Sequence, residues 1–405
     1  MTSPPAAGRP RGGGAARLAL PDFPWDTLAP HAARARAVPG GVCDLSVGTP
    51  VDPTPALLQD ALRAAADAPG YPQVWGTPAV REAVAGWYAR RRGVPDLDPD
   101  GVMPVPGSKE LVAWLPTLLG LGPGDVVVHP EVAYPTYDVG ARLAGAAPLP
   151  LDDVASLPSP DVDLPGGARG RVRLVWLNTP SNPTGAVDGV ERLAGVVAWA
   201  RAHDVVVASD ECYAELGWAA APDAAAGTTT DARGDVVVPS ALDPRVVGDD
   251  PAGVLSVYSL SKQSNLAGYR AALVAGDPAL VRELVAVRRH TGAIVPRPVQ
   301  EALRVALGDD AHVAEQKERY RARRDLLRGA LEAAGGRVDH SGAGLYLWTT
   351  FDEDALTTVA RLADAGVLVA PGGFYGAAGA RHVRVALTAT DERVATAADR
   401  LRALA

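Results

Sequence analysis

The segment GVLSVYSLSKQSNLAGYRAALVAG, Gly253–Gly276, sets a polar loop between two apolar runs. The runs GVLSVYSL and AALVAG contain few polar residues, and this composition predicts strands buried on both faces of a mostly parallel sheet. The loop between them carries Ser259, Lys262 and Arg270. Because ligands of open α/β sheets bind beyond the carboxyl ends of the strands, these three side chains are candidates for a binding site.

The same pattern extends outward along the chain in both directions. Further apolar runs are expected as strands at Val126–Pro130, Val172–Leu177 and Asp204–Asp210. Helices are expected at Thr54–Asp67, Pro78–Arg92, Ser108–Leu119, Val190–His203 and Pro278–His290. Short strands that alternate with longer helices predict the α/β class.

The pattern changes after about residue 290, where the sequence predicts a second domain. A long charged helix is expected at Asp310–Ala334, and short strands are expected at Gly344–Phe351 and His382–Thr388. The expected division is a disordered Gly/Pro-rich lead-in at residues 1–17, an N-terminal segment joining the small domain at 18–50, a large domain at 51–290 and a small α+β domain at 291–405. The polar, acidic stretch Gly217–Gly253 is expected to be a surface insertion.

The composition argues against several classes of protein. The 405 residues carry a net charge of −8 and contain no block rich in Lys and Arg, which argues against binding to nucleic acid. No apolar run approaches the ~18 residues of a membrane span, so the cytoplasm is the expected location. Two cysteines, and seven histidines without paired spacing, predict neither a disulfide framework nor a metal site. The P-loop, GxGxxG, GxSxG and HExxH motifs are absent from the sequence.

Two further polar segments follow predicted strands, NTPSNPTG at Asn178–Gly185 and SDECYAEL at Ser209–Leu216. Asp210 ends an apolar run, so we expect a buried carboxylate that needs a cationic partner, such as a protonated pyridine nitrogen. Tyr213 lies three residues further on, and on nearly the same face if a helix begins there. Asn182 adds a hydrogen-bond donor.

Lysine is rare in this sequence, since only three of the 39 basic residues are lysines. Lys262 offers an amine for Schiff-base chemistry at a strand end, which arginine cannot do because it stays protonated. PGSKEL, Pro106–Leu111, opens a helix whose first N–H groups and Ser108 can hold a phosphate. Amine, carboxylate, phenol, amide and phosphate cradle together predict a pyridoxal-phosphate site.

These segments resemble those of fold-type I pyridoxal-phosphate-dependent aminotransferases of class I/II, from about Asp44 to the C-terminus. The resemblance implies a large domain with a mostly parallel sheet of the seven-stranded type, a smaller α+β domain, and ping-pong transamination between an amino acid and a keto acid. It implies that Lys262 carries the cofactor and moves a proton, and that Asp210 pairs with the pyridine nitrogen. Tyr213 and Asn182 resemble the groups that hydrogen-bond the phenolic oxygen of the ring.

The resemblance also implies residues for the phosphate, the ring face and the substrate. It assigns the phosphate to Gly107, Ser108, Ser259 and Arg270, the ring face to Tyr134, and the substrate carboxylate to Arg384 and Gly48. Lys109 is either a further phosphate contact or a solvated helix residue, and Asn182 is also a candidate for binding the substrate. Tyr71, in GYPQVWG, resembles a tyrosine that reaches the phosphate of the neighbouring subunit, which implies a homodimer with shared active sites. Cys212 is expected to be a small buried thiol, and Lys317 a surface residue.

Several strings, among them SDECYAELGW and HTGAIVPRPVQEAL, are similar to N-succinyldiaminopimelate aminotransferases of lysine biosynthesis. That group would use glutamate and 2-oxoglutarate as the amino pair. HTGAIVPRPVQ departs from the more usual HAGMMVPAPVQ and places Arg297 near the expected substrate entrance. Arg297, Arg288 and Arg289 are candidates for binding the acyl carboxylate of such a substrate.

Alternative functions share much of this sequence pattern. Aminotransferases for LL-diaminopimelate, aspartate, alanine or aromatic amino acids differ mainly in the loops that contact the substrate side chain. A pyridoxal-phosphate-dependent C–S β-lyase would share the whole cofactor site. A regulator built on an aminotransferase-like domain would need an additional DNA-binding domain before Asp44, where the sequence predicts a disordered segment.

Overall fold

The computed structural model describes residues 20–164, 166–219 and 228–405. The α-helices are α1 (Ala29–Ala37), α2 (Ala56–Ala64), α3 (Pro78–Arg91), α4 (Ser108–Leu118), α5 (Thr136–Ala144), α6 (Val190–Ala202), α7 (Pro244–Val247), α8 (Leu260–Gln263), α9 (Pro278–Thr291), α10 (Arg297–Leu307), α11 (Ala311–Ala333), α12 (Ala355–Asp364) and α13 (Asp391–Arg402). Short 3₁₀ turns lie at Pro24–Leu28, Pro99–Gly101, Val154–Ser156, Ala267–Tyr269, Gly372–Tyr375 and Ala377–Gly379.

The strands are β1 (Cys43–Asp44), β2 (Val102–Pro106), β3 (Asp125–His129), β4 (Ala147–Pro150), β5 (Asp161–Asp163), β6 (Arg169–Asn178), β7 (Val206–Asp210), β8 (Thr229–Thr230), β9 (Val236–Val237), β10 (Val254–Ser259), β11 (Ala271–Gly276), β12 (Arg337–Asp339), β13 (Tyr346–Thr350), β14 (Val367–Leu368), β15 (Ala370–Pro371) and β16 (His382–Ala386). The predicted helices and strands are all present. Their ends differ from the predictions by a few residues at most, which is the usual uncertainty at element termini.

Capping residues explain where the helices begin. Thr77 accepts a hydrogen bond from the N–H of Val80 at the start of α3, and Asp277 accepts from the first turn of α9. Helix α2 is shorter than expected because Pro55 precedes it in an extended conformation and Thr54 donates its hydroxyl to the backbone oxygen of Asn265. The side chain of Thr54 therefore ties the loop before α2 to the segment that follows Lys262.

The central sheet confirms the α/β prediction. Its seven-strand path runs β2-β11-β10-β7-β6-β3-β4, and β5 pairs with β6 at the side. The pairs among β10, β7, β6, β3 and β4 are parallel, whereas β11 is antiparallel to both of its neighbours. The carboxyl ends of β6, β7 and β10 therefore meet at one edge of the sheet.

Helices cover both faces of this sheet. Successive residues of β7 show the alternation, since Val207 packs in the core shared with α3, α6 and α10, whereas Ala208 packs in the core shared with α4, α5 and α9. Because both faces are buried, the strands are apolar almost throughout rather than alternating with polar residues. The few polar residues in these strands are therefore concentrated at the strand ends.

A smaller, antiparallel sheet of order β12-β13-β16-β15 follows in the C-terminal part of the chain. Helices α11, α12 and α13 contribute to the apolar core around it. Strand β1 pairs in parallel with β14, so the N-terminal segment contacts the C-terminal region. The division into domains at residues 50 and 290 stays a prediction, and the lead-in at 1–17 lies outside the described residues.

The prediction that residues 217–253 form a surface insertion is wrong for much of this stretch. Residues 220–227 lie outside the described part of the chain, but Val238, Leu242 and Val247 are buried in the core beside α6. The run VVVPSAL supplies apolar side chains that the polar composition of the whole stretch concealed. Lys317, expected at the surface, is half-buried because it forms an ion pair of 2.9 Å with the buried carboxylate of Asp235.

Candidate active site

The sheet edge and the C-terminal sheet enclose one cavity of about 660 Å³. Strands β6, β7 and β10 deliver their last residues to its floor, and Arg270, just before β11, reaches the same edge because β11 runs in the opposite direction. The opposite wall comes from Tyr346 on β13 and Arg384 on β16. Eleven residues predicted from the sequence line the cavity: Gly48, Ser108, Lys109, Tyr134, Asn182, Asp210, Tyr213, Ser259, Lys262, Arg270 and Arg384.

Lys262 lies on the one-turn helix α8, directly after β10. Its amine donates a hydrogen bond to the backbone oxygen of Gly48, and no carboxylate pairs with it among the described residues. Burial lowers the pKa of Lys262, and the nearby guanidinium groups of Arg384 and Arg270 lower it further. The amine is therefore neutral in a larger fraction of molecules near pH 7 than an exposed lysine would be.

Asp210 ends β7 as a buried carboxylate. Its Oδ2 accepts a hydrogen bond of 3.0 Å from the hydroxyl of Tyr137, and its Oδ1 accepts one of 3.2 Å from the N–H of Cys212. Burial raises the pKa of Asp210, and within the described residues no cation forms an ion pair with it. A buried carboxylate without a cationic partner is costly, so this geometry favours a positively charged group in the cavity.

The turn between β2 and α4 brings backbone close to a guanidinium. Gly107 has a φ of +98°, a conformation that favours glycine, and a Cβ at this position would lie 2.0 Å from Nη2 of Arg270, so the guanidinium would have to move. Ser108 is the first residue of α4, whose free N–H groups face the cavity edge. Ser259 donates its hydroxyl to that of Ser261 at 2.9 Å. Hydroxyls, free N–H groups and a guanidinium form an anion site at this corner.

Arg384 is buried in the opposite wall. Its Nη1 donates to Oδ1 of Asn182 at 2.9 Å and its Nη2 donates to the backbone oxygen of Ser46 at 2.8 Å, whereas its buried Nε has no partner among the described residues. Its guanidinium carbon lies 4.0 Å from the centroid of the Tyr346 ring and 4.9 Å from that of Tyr375. A carboxylate in the cavity would therefore find a positive charge that no acidic side chain of the described ranges neutralises.

Two phenols meet between these walls. The hydroxyl oxygens of Tyr213 and Tyr346 lie 3.2 Å apart. Burial raises the pKa of Tyr213 well above its usual value. Burial acts in the same direction on Tyr346, but the charges of Arg384 and Lys262 outweigh it and hold the pKa of Tyr346 below its usual value. Tyr213 therefore keeps its proton more firmly than Tyr346 does and can donate it in a hydrogen bond to a neighbouring oxygen.

Several residues singled out in the sequence do not line the cavity of their own chain. Tyr71 is fully exposed, and Arg297 is exposed at the start of α10. Arg288 is not free to bind a substrate because it is buried and forms an ion pair of 2.8 Å with Glu110, and Arg289 is exposed on α9. Gly107 lies behind Arg270 rather than at the cavity surface.

The structure adds site residues that the sequence did not reveal. Tyr137 holds Asp210, and it lies only three residues from Tyr134, which was singled out from the same segment. Tyr346, Trp25 and Phe23 also line the cavity. Tyr346 lies in an ordinary strand pattern, and Trp25 lies about 360 residues before Arg384 in the sequence, so no local motif marks either of them.

Two further findings concern metal binding and membrane spans. Among them, no group of three or more His, Cys, Asp or Glu side chains is arranged to hold a metal ion. No helix in the described ranges has both the length and the apolar composition needed to cross a membrane. Cys212 is a buried thiol, as expected, and burial raises its pKa well above the usual value.

Comparisons with known proteins identify the family of this chain. A family model for aminotransferase class I and II matches residues 41–401. The 4-dedimethylamino-4-oxo-anhydrotetracycline transaminase OxyQ of Streptomyces rimosus is 53% identical, over 94% of this chain and 99% of its own length. A probable aminotransferase of Mycobacterium tuberculosis is 54% identical, over 96% of this chain and 87% of its own length.

A solved structure shows the same architecture. A probable N-succinyldiaminopimelate aminotransferase of Thermus thermophilus superposes with a TM-score of 0.80 at 28% identity, covering 95% of this chain and 100% of the other. Members of the matched family use pyridoxal 5'-phosphate. This chain therefore belongs to the aminotransferase class I and II family and has its fold-type I architecture.

Proposed function

We propose that this chain transfers an amino group between N-succinyl-LL-2,6-diaminopimelate and 2-oxoglutarate, with Lys262 holding pyridoxal 5'-phosphate. One observation carries the catalytic part of this proposal. The amine of Lys262, the carboxylate of Asp210 and the guanidinium of Arg384 face one cavity, and none of the three forms an ion pair among the described residues. Each therefore has a charge or a reactive group available to a cofactor or a substrate.

The residues present fit pyridoxal phosphate at both ends of the molecule. Asp210 is the acceptor for a protonated ring nitrogen, and the positive charge of that nitrogen offsets the cost of the buried carboxylate. The corner formed by Ser108, Ser259, Arg270 and the glycine turn at Gly107 is the phosphate site. When bound, the cofactor supplies an electron-withdrawing ring that stabilises negative charge at the substrate Cα.

The chain's own residues then have separate roles. Lys262 would hold the cofactor until the amino donor releases it. Its amine, whose pKa burial lowers, would then accept the proton of the substrate Cα and deliver it to the cofactor carbon that had been bonded to Lys262. Tyr213 and Asn182 donate hydrogen bonds to the phenolic oxygen, and Tyr134 covers the ring face. Tyr137 keeps Asp210 oriented toward the ring.

The substrate carboxylate is assigned to Arg384. The guanidinium is held in place by Asn182 and Ser46, and its remaining N–H edge is free to bind a carboxylate. At Gly48, a Cβ would lie 2.1 Å from the Tyr346 hydroxyl, so glycine lets the backbone approach closely on this side. Substrates are therefore oriented with their α-carboxylate at β16 and their amino group toward Lys262.

The distal end of the substrate meets Lys109 rather than Arg297. Lys109 lines the cavity and is exposed, without an ion pair among the described residues, and its amine lies 5.6 Å from the ring centroid of Tyr134. A second carboxylate, on glutamate or on a succinyl group, would gain a cation there. This supports a dicarboxylic amino pair, and the likeness to the Thermus thermophilus structure supports the succinylated substrate.

An aromatic rim favours a second candidate function. Phe23, 56% exposed, and Trp25 stack at a centroid distance of 5.4 Å beside the cavity mouth, opposite Tyr134. Flat aromatic surfaces of this kind bind planar ring systems. The relative from Streptomyces rimosus is named for a tetracyclic ketone substrate. Amination of a polycyclic ketone is therefore the second candidate.

We also propose that the chain forms a homodimer and that it is located in the cytoplasm. Tyr71 is fully exposed although it is aromatic, and it follows a loop of proline and glycine that extends from α2. A second copy of the chain placed on this loop would cover Tyr71 and bring its hydroxyl to the phosphate corner of the partner. Sedimentation velocity of the holoenzyme and of the Tyr71→Phe variant, combined with cofactor affinity, tests this arrangement.

An amino-donor and acceptor screen tests the proposed function. The purified holoenzyme is mixed with N-succinyl-LL-2,6-diaminopimelate, LL-diaminopimelate, aspartate, alanine or an aromatic amino acid plus 2-oxoglutarate, and glutamate is measured. The proposal expects the succinylated donor to give the highest kcat/KM. Higher kcat/KM with another amino acid, preference for a polycyclic ketone as acceptor, or release of pyruvate and ammonia from a C–S substrate without a keto acid would contradict it.

Two variants test whether Lys109 binds the second carboxylate of the substrate. Lys109→Ala should raise the KM for the dicarboxylic substrates by about tenfold, because an ion pair in a half-open cavity is lost. Lys317→Ala is the matched control, since it removes a lysine that pairs with Asp235 outside the cavity. If both variants change KM equally, Lys109 has no specific role.

A further inference from the structure

Glu211 stands between two cavity residues and points away from the cavity. It follows Asp210 and precedes Cys212, both of which line the cavity, whereas its own side chain is fully buried on the other side of the chain. Its backbone N–H donates to the oxygen of Val257 on β10 at 2.9 Å. The residue therefore belongs to the turn that sets the position of Asp210, but it is not part of the site described above.

The Glu211 carboxylate forms a buried ion pair. Its Oε2 accepts a hydrogen bond of 2.9 Å from Arg92, and the two side chains are 0% and 2% exposed. Arg92 directly follows α3. Replacing such a pair by apolar residues of similar volume is often neutral or stabilising, so stability alone does not account for a pair in this position.

The pair also fastens a segment of the chain that the sequence assigned to a surface insertion. Oε1 of Glu211 accepts hydrogen bonds from the N–H of Ala241 at 2.7 Å and from the hydroxyl of Ser240 at 3.2 Å. Arg92 donates from Nη1 to the backbone oxygen of Val238 at 2.9 Å. Residues 238–241 are thus joined by hydrogen bonds to both members of the ion pair beside Asp210.

The negative charge of Glu211 affects the neighbouring carboxylate of Asp210. Two buried carboxylates occupy consecutive positions, and repulsion from Glu211 adds to the burial that raises the pKa of Asp210. Arg92 neutralises Glu211, which limits that repulsion. Because one residue in this turn cannot shift without moving the next, the ion pair also limits how far the Asp210 carboxylate can move from its place beside Tyr137.

We propose that the Arg92–Glu211 pair, held by residues 238–241, is a positioning device that keeps the Asp210 carboxylate aligned toward the ring nitrogen of the cofactor. This rests on the role of Asp210 in the proposed function. It also gives the segment at 238–241 a structural role, because these residues complete the buried surroundings of a catalytic carboxylate from the side that the substrate does not reach.

Cofactor affinity of the apoprotein tests the proposal. Glu211→Gln keeps the shape and the acceptor for Ala241 but loses the ionic bond to Arg92 that holds the turn in place. We expect the dissociation constant of pyridoxal phosphate, measured by quenching of tryptophan fluorescence, to rise at least tenfold because Asp210 is no longer held in alignment. Glu215→Gln is the matched control, because Glu215 lies in the same turn and pairs with Arg91 at 2.6 Å. It should lower the melting temperature while its dissociation constant stays within twofold of the wild type.

A second variant covers the case in which Glu211→Gln does not fold. Arg92→Lys keeps the positive charge but cannot reach both Glu211 and Val238, and it should weaken cofactor binding by at least threefold. Dissociation constants within twofold of the wild type for the folded Glu211 and Arg92 variants would overturn the inference, as would an equal loss in Glu215→Gln. Asp210→Asn is measured beside them: if it binds the cofactor as tightly as the wild type, it is the proposed function that fails.

Discussion

The cavity has two walls that are built in different ways. The cofactor wall consists of Asp210, Lys262, Arg270 and Ser108 at the edge of the central sheet, in polar motifs beside the ends of strands. The substrate wall consists of Arg384, Tyr346, Trp25 and Phe23, which come from the C-terminal sheet and the N-terminal segment. The guanidinium in this wall is surrounded by aromatic rings in addition to its hydrogen bonds to Asn182 and Ser46.

We infer from this difference that the cofactor wall carries the chemistry, whereas the substrate wall decides which substrate binds. In the cofactor wall, hydrogen bonds and backbone conformation restrict which residues can occupy each position. Gly107 is an example, because it has a φ of +98° and lies beside the guanidinium of Arg270. The substrate wall is made largely of side-chain surfaces, which substitutions can reshape without disturbing the sheet.

The largest effect is expected at the centre of the cofactor wall. Lys262→Ala should lose the absorbance band of the bound cofactor and lower turnover by about 10⁴-fold, because the amine proposed to hold the cofactor and move the proton is removed. Lys262→Arg is the control, since it keeps a positive charge but no neutral amine. Turnover near the wild-type rate in either variant would remove Lys262 from the mechanism and with it the division into two walls.

Asp210→Asn should have the next largest effect and should act in opposite directions on activity and stability. Turnover is expected to fall by about 10³-fold, because the neutral amide no longer stabilises a protonated ring nitrogen. In the apoprotein the buried carboxylate costs free energy, so at pH 8 the variant should melt about 1–3 °C higher than the wild type. Differential scanning calorimetry of both apoproteins measures the difference.

The sign of the pH dependence follows from the raised pKa of Asp210. Its contribution to folding is fully present below the pKa of the unfolded chain and is lost as the pH rises through the higher pKa of the folded chain. The melting temperatures of the two apoproteins should therefore converge as the pH falls. If the difference in melting temperature between the two apoproteins stayed constant at all pH values, the pKa of Asp210 would be the same in the folded and the unfolded chain. Burial would then not destabilise its charged form.

A third variant tests whether the walls are independent. Arg384→Lys keeps the charge but loses the planar fork, and KM should rise by about 10²-fold for both the amino acid and the keto acid. The dissociation constant of the cofactor should change much less than KM, since Arg384 contacts the cofactor site only through Asn182 and does not contact the phosphate corner. A large loss of cofactor affinity would show that the two walls form one cooperative unit.

The same two walls explain what the sequence could predict. Lys262, Asp210 and Ser108 follow apolar strands in short polar motifs, so local pattern and the geometry of parallel sheets are enough to find them. Tyr137 was passed over because the segment offers two tyrosines, and only the fold shows which one reaches Asp210. Trp25 and Tyr346 join the site through contacts between distant parts of the chain, for which no local pattern exists.

The prediction for the buried part of the 217–253 stretch failed for a related reason. Its polar and glycine-rich ends dominate the composition of the whole stretch, whereas the apolar residues that pack beside α6 are few and irregularly spaced. The buried partners of Glu211 at Ser240 and Ala241 are a hydroxyl and a backbone N–H. A backbone donor carries no signature in the sequence, so this contact could be found only in the folded chain.

The smallest effect is expected at Arg297, and it decides how far the substrate wall extends. The side chain is exposed at the start of α10 and does not line the cavity of its own chain, so Arg297→Ala should change KM for the succinylated substrate less than twofold in a site formed by one chain. If the substrate wall instead includes a second copy of the chain, KM for the succinylated substrate should rise several-fold while KM for glutamate stays constant. Steady-state kinetics with both donors, beside Arg289→Ala as an exposed control on α9, separates these outcomes. A selective rise for Arg297→Ala would move the distal carboxylate from Lys109 to the partner's loop, because an exposed arginine can act on a substrate only if another surface brings it there.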